Sequence, residues 1–422
     1  MIERVSLFNT KRELFLFLSL CSFILFYSLL INYNEYKKLT RFDSQIVQAT
    51  VLKQYTKTKN TKTFQVLKLK SDDGFTFYTS AKKSLEDING KRLKLELWAG
   101  NISFYEYLTS FYAYSKIKYI YKTISNKQRL NSYIDSLHVD KDIANIYQAL
   151  YTATPLHVEL QQSFSALGVS HLLAISGFHL GVLSALLFFF LKPIYSFFQD
   201  RYFPYRNAKF DLFIIVVFIL LAYLLFLDKP PSLLRSFAML VVGFVLYDRG
   251  IKIISMQTLF VTVILLLSFF PKLLFSLGFW LSVSGVFYIF LFLIYFKNIS
   301  KVWQFLLLPI WVYIMMLPFS LAIFGNFSIY HPLSIVWTSL FTIFYPLSIA
   351  LHVVGLGDLF DGVLSSFISF GTNSLHVEFS RYLLALHVGL SLLSVFYKKI
   401  IYLLLVSSLF VFVYSIYKVA YF

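Results

Sequence analysis

The stretch GVSHLLAISGFHLGVLSALL, residues 168–187, sets two imidazoles, His171 and His179, and one hydroxyl, Ser176, in an otherwise apolar run punctuated by Gly177 and Gly181. A metal site is disfavoured, because no third His, Cys or carboxylate stands at ligand spacing nearby; neither metal nor cofactor is expected. An intramembrane Ser/His hydrolase would use Ser176 and His179, one turn apart, but no acidic group is evident to orient the histidine. A conduit lining suits the residues better than either. On a continuous helix His171 and His179 are only about 80° apart around the axis, and polar groups at membrane depth persist where they are buried in protein or line water. The plainer alternative is that the glycines allow close helix packing and the histidines hydrogen-bond across helices.

Three more polar islands follow. DKPPSLLRSFAMLVVGF, residues 228–244, puts Arg235 one turn inside a helix opened by Pro230 and Pro231. Near a helix end an arginine snorkels to the interface by default; facing the bundle, it would offer a fixed positive site to a passing phosphate. PKLLFSLGFWLSVSGVF carries Gly278, Ser282, Ser284 and Gly285, and LPFSLAIFGNFSIYHPLSIVW carries Pro318, Gly325, Asn326, His331 and Pro332. Half-broken helices of this kind recur where solutes cross membranes.

The elements that must position these residues are membrane helices. Of 422 residues 58% are hydrophobic, 20% aromatic and 14% charged, a balance that excludes an ordinary soluble protein. The expected fold class is a polytopic α-helical membrane protein with an N-terminal anchor helix and a small all-β OB-like extracytoplasmic domain. Residues 13–32 are long enough to cross roughly 30 Å of hydrocarbon and lack a cleavage site, so they read as a retained anchor with a cytoplasmic N-terminus. Further spans are expected near 178–197, 211–227, 232–248, 253–270, 273–296, 302–324, 332–355, 382–397 and 400–420. The loops bearing Lys192, Arg201, Arg206 and Lys209, then Arg249 and Lys252, then Lys297 and Lys301 all fall inside on that scheme. The segment 356–380 fits either an interfacial amphipathic helix or a broken span. Cys21 is the one cysteine, so no intramolecular disulfide forms.

Residues 33–105 instead alternate polar and apolar at period two, with turn signals at Thr58-Lys59-Asn60, Asp72-Asp73-Gly74 and Asn89-Gly90. Four to five strands, with a helical or irregular piece near 81–90, suit a partly open barrel of the OB type. The segment holds 14 Lys and Arg against 7 Asp and Glu, within a chain of net charge +17. Such a surface could grip a phosphate backbone and stack bases on aromatics. The residues that would do so are Lys53, Lys57, Lys59, Lys62, Lys68, Lys70, Phe75, Tyr78, Lys82, Lys83, Lys91 and Arg92. The bland alternative has Phe75 and Phe77 filling the barrel while the lysines are merely solvated. The division expected is 1–32 anchor, 33–105 barrel, 106–162 connecting helical region and 163–422 polytopic bundle.

LGVSHLLAISGFHLGVL resembles the signature of the ComEC family, the inner-membrane DNA-uptake proteins of competent bacteria, whose usual form reads much like SHLLAISGLHVG. PPSLLRSFAML is similar to the family's proline-rich segment followed by an arginine, LFSLGFWLSVSGVFYI to its glycine-phenylalanine-x-leucine-serine segment, and LPFSLAIFGNFSIYHPLSIVWTSLFTIFYPLSIALHVVG to its late re-entry. The likeness covers about 130–390 in the family's order, and 33–105 is similar to its extracytoplasmic OB-like domain. Two departures stand out. Many members end in a metallo-β-lactamase-like domain with a His-x-His-x-Asp-His motif, a spacing that none of the 8 histidines here has, so its nuclease activity is not expected of these residues. The family's late asparagine turn is here Asn326 followed by His331-Pro332. The resemblance implies a channel, not an enzyme, that imports single-stranded DNA through the bacterial inner membrane. His171, Ser176, Gly177, His179, Gly181, Arg235, Gly278, Ser282, Ser284, Asn326 and His331 would line it. The chain has no Gly-x-x-x-x-Gly-Lys-Ser/Thr loop; a cytoplasmic helicase or strand-binding protein would pull, and an external receptor would deliver DNA. The rivals are the Ser/His hydrolase and a transporter of a small anionic solute.

Overall fold

The computed structural model describes residue 8 and residues 10–421, apart from 60, 61, 87, 122–125, 174, 176, 228, 251, 252, 372–374 and 378. The chain forms two compact units, residues 8–132 with 264–277, and residues 133–263 with 278–422.

In the first unit α1 (Lys11–Thr40) outruns the anchor expected at 13–32, because its last turns have a protein surface to cover. Leu39 joins the barrel core, and Tyr36 donates through its hydroxyl to the Ile102 carbonyl at 2.9 Å. The barrel comprises β1 (Gln45–Lys59), β2 (Lys62–Ser71), β3 (Thr76–Ala81) and β4 (Arg92–Trp98), then a short helix α2 (Phe104–Thr109), β5 (Phe111–Tyr112) and β6 (Tyr114–Ile120). The sheet order is β5-β3-β2-β1-β4-β6, with β3 and β5 parallel and the other pairs antiparallel. Only Ala113 separates β5 from β6, so one strand touches both ends of the sheet and closes it in the OB order. The sheet therefore runs past residue 105 and takes in the start of the region read as a connector. Residues 81–90 are turns rather than a helix. Period-two patterning is visible in the burial: Leu67, Leu69, Phe77, Leu93 and Leu95 are wholly buried, while Lys68, Lys70, Tyr78, Arg92 and Lys94 beside them are not. Gly74 closes the β2–β3 turn at φ +86°, a conformation open to glycine at no steric cost.

The second unit is helical. Among the described residues it contains α3 (Asn126–Leu137, begun in the first unit), α4 (Lys141–Thr152), α5 (Val158–Ala166), α6 (Ser170–Leu173), α7 (Gly177–Tyr202), α8 (Ala208–Phe226), α9 (Pro231–Asp248) and α10 (Met256–Phe269, which ends in the first unit). There follow α11 (Leu277–Tyr295), α12 (Lys301–Phe324), β7 (Asn326–Phe327), α13 (Ser334–Val353), α14 (Asp361–Ser369), β8 (Leu375–His376), α15 (Arg381–Leu393) and α16 (Lys398–Tyr421). Among the described residues seven helices are long and apolar enough to cross a membrane: α1, α7, α8, α11, α12, α13 with its preceding turn, and α16. Their surfaces expose large apolar side chains such as Phe189, Phe218, Phe305 and Phe410, as lipid-facing helices do. Buried apolar clusters hold the bundle. Leu180, Val216, Leu220, Leu224 and Leu233 join α7, α8 and α9; Tyr288, Leu291, Trp311, Met315 and Leu404 join α11, α12 and α16. The segment 356–380 is broken, into a 3₁₀ turn at Gly357–Phe360, α14, and β8 paired with β7.

Candidate functional site

The opening motif does not form one continuous helix, so the eight-residue face argument for His171 and His179 gives way to a different geometry. Helix α5 ends, Gly168 takes a left-handed φ of +72°, α6 lasts four residues, and α7 begins at Gly177. Gly168 is required twice over. Its conformation is costly for other residues, and a Cβ there would stand 2.7 Å from Cε1 of His331. His331 is buried, stacks on Phe327 at 4.6 Å, and has Nδ1 2.9 Å from the Tyr313 hydroxyl. The motif and the late re-entry thus meet through a glycine and a histidine. His179 is also buried and meets the rings of Tyr345 (4.7 Å) and Phe341 (5.3 Å) edge-on. His171 lies within electrostatic range of both and approaches the Thr338 hydroxyl at 3.4 Å. Surrounding protein atoms hold its imidazole below the ordinary range, partly opposed by a hydrogen bond to the Gly168 backbone, although the side chain is exposed.

Arg235 does not snorkel. It is 4% exposed, donates from Nη1 to the Gly278 carbonyl at 2.8 Å, and lies 6.0 Å from the Phe279 ring centre. Gly177 packs against its neighbour Ser236, where an added Cβ would be 3.3 Å from Oγ. Gly181 faces open space, so close packing does not explain it. Ser282 and Ser284 are half-buried on α11, and Asn326 pairs with His376 in the small two-stranded sheet. Ser176 lies outside the described residues.

A second polar cluster has no counterpart in the sequence reading. His138, after α3, contacts both Asp361 carboxylate oxygens through Nδ1 (2.9 and 3.0 Å) and His352 Nε2 through Nε2 (3.1 Å). His352 Nδ1 is 2.8 Å from the Ser348 carbonyl. The Tyr151 hydroxyl donates to Ser348 Oγ, which donates onward to the Tyr345 carbonyl, each at 2.8 Å. Tyr147 stacks on His138 at 4.7 Å. The Tyr151 hydroxyl also stands 3.3 Å from His352 Nδ1, so Asp361, His138, His352 and Tyr151 form one hydrogen-bonded chain. No local pattern could have revealed partners more than 200 residues apart in sequence.

On the barrel, register brings several predicted residues into one row. Lys53 lies opposite Lys68, Lys68 opposite Tyr78, and Tyr78 opposite Tyr112, across four adjacent strands. Lys68 Nζ stands 5.5 Å over the Tyr78 ring, and burial plus the Lys68 charge hold the Lys53 ammonium below its ordinary value. Lys57, Lys82 and Lys83 are exposed, while Lys70 and Lys91 are half-buried. Arg92 is ion-paired with Asp72 and lies over Tyr121. The side chains of Lys59 and Lys62 lie outside the described set. Phe75 is a correction: it is 3% exposed and packs on Phe77 and Phe111 inside the barrel, so it presents no stacking face. Exposed rings include Tyr112, Tyr114 and Tyr119. These lie on the strand read as connector, although its alternation was there to be seen.

Fold and polar core together define a polytopic helical membrane protein that joins a closed β-barrel to a bundle with an interrupted helix at its centre. Residues 154–418 match the family model described as Competence protein. The chain belongs to the ComEC family of competence proteins. It is 30% identical over 214 residues to ComE operon protein 3 of Bacillus subtilis (strain 168), an alignment covering 50% of this chain and 26% of that protein. The chain thus spans about a quarter of that relative's length. No solved structure matches.

Proposed function

We propose that this protein passes single-stranded DNA across the bacterial cytoplasmic membrane during natural transformation, with the barrel outside and the bundle as the path. Family membership supports a role in competence; the observation that favours nucleic acid is the row Lys53, Lys68, Tyr78, Tyr112. It sets two cations that displace counterions from a backbone beside two rings on which bases stack. The exposed imidazole of His171, beside the break between α6 and α7, is the polar start of the path. A cytoplasmic helicase or strand-binding protein supplies the pull, and an outer receptor supplies the strand.

The test is the row itself. Lys68→Ala with Tyr112→Ala should weaken binding of an oligothymidylate to the full chain in detergent at least ten-fold at low salt. Stacking is worth roughly 1–3 kcal/mol per base, and a lost cation also flattens the salt dependence. Unchanged affinity would remove the barrel from DNA recognition. Wild-type import by a Ser176→Ala variant at equal abundance supports a conduit, whereas total loss would favour the hydrolase.

A further inference from the structure

A guanidinium is charged at every accessible pH and costly to bury without a counter-ion. Arg235 is nine-tenths buried and more, its Nε has no hydrogen-bond partner, and no described Asp or Glu lies within ion-pair distance of it. The surrounding backbone adds to the positive field. Gly278, whose carbonyl takes Nη1, belongs to the first turn of α11; Gly177, against Ser236, opens α7; Arg235 itself is one turn into α9. The first turns of three helices, each with a partial positive charge at its N-terminus, thus lie at Arg235 and Ser236. The Phe279 ring covers one face of the guanidinium but brings no formal negative charge. An oxyanion satisfies all of these groups at once.

We propose that Arg235 and the first turns of α7, α9 and α11 form an oxyanion site for the phosphodiesters of a nucleic-acid strand, an assignment that rests on the import reading above. A strand fits better than a lipid headgroup. Headgroups meet a bundle from its outer surface, whereas Arg235, Ser236, Leu233 and Phe279 are all buried. A diester carries one negative charge, matching one guanidinium, and moves on when the next diester replaces it.

Three probes test this on the full chain in neutral detergent: inorganic phosphate, an oligothymidylate and phosphatidylglycerol, each against chloride at matched ionic strength. Thermal unfolding is followed for wild type and Arg235→Gln. Phosphate and oligothymidylate should each raise the wild-type midpoint by about 4 °C at saturation and leave Arg235→Gln unmoved. In chloride, Arg235→Gln should unfold at a higher temperature than wild type, because an uncompensated buried charge has gone; an Arg235→Met variant should behave alike. Equal midpoints in phosphate and chloride for wild type would overturn the site. Protection by phosphatidylglycerol alone would assign the guanidinium to lipid and overturn the strand. A chain that binds phosphate through Arg235 yet imports no DNA would overturn the strand and the import reading, leaving a bare oxyanion site.

Discussion

Asp361→Asn replaces the carboxylate that faces His138 Nδ1 with almost no change of shape. The amide oxygen can still accept from His138 Nδ1, but as a neutral group, so the hydrogen bond that ends the His138–His352 chain is weakened. A hydrogen bond to a charged group contributes about 1.5–3 kcal/mol. A fully buried ion pair would cost more to break, about 3–5 kcal/mol, but Asp361 keeps 22% of its side chain exposed while His138 keeps none, so the lower range applies. The expected loss is about 2 kcal/mol, read as a fall of about 4 °C in the unfolding midpoint of the full chain. His138→Gln should cost a similar amount. The double variant should cost little more than either, a coupling of at least about 1 kcal/mol. Additive losses in that cycle, or an Asp361→Asn variant within about 0.5 kcal/mol of wild type, would refute the coupling of Asp361 to His138.

Gly168→Ala should destabilise the bundle by more than about 1 kcal/mol, through strain at positive φ and the clash with His331, whereas Gly181→Ala, facing open space within α7, should be neutral or stabilising; parallel melts of the two variants check the pair. Ser103 donates from its backbone N–H (2.7 Å) and hydroxyl (2.8 Å) to Glu106, holding that carboxyl below the ordinary range. The stabilisation is present above the ordinary glutamate value and lost as pH falls through the lowered one, so the gap between wild type and Glu106→Gln should close in acid titrations of barrel unfolding. Arg235→Lys should retain partial transformation and Arg235→Ala almost none at equal membrane abundance; full activity of the alanine variant would make Arg235 dispensable to the path.

Strands 45–98 were legible because one wet face and one dry face leave a period of two in the sequence. Strand 111–120 shows the same alternation, at Tyr112, Tyr114 and Lys116 on one side and Phe111, Ala113 and Ser115 on the other. It was masked by the helix at 104–109 before it and the helical patterning after it. Helix positions in the bundle came through well, since lipid rewards uninterrupted apolar runs. The polar sites came through by composition alone. Arg235 is conspicuous in an apolar helix, yet whether it snorkels or faces inward depends on α7 and α11. His138, His352 and Asp361 carried no signal because tertiary packing alone brings them together. Gly177 and Gly181 look equivalent in sequence, and only the neighbours show that one packs on Ser236 and the other on nothing.

The central claim, passage of a DNA strand through this protein, is tested most directly by following end-labelled DNA in competent cells with the gene deleted and then restored. Capture of DNA at the cell surface should be the same in both, while labelled single strands should reach the cytoplasm only where the gene is present. Cytoplasmic strands at undiminished level in the deletion, or surface capture lost together with import, would contradict it.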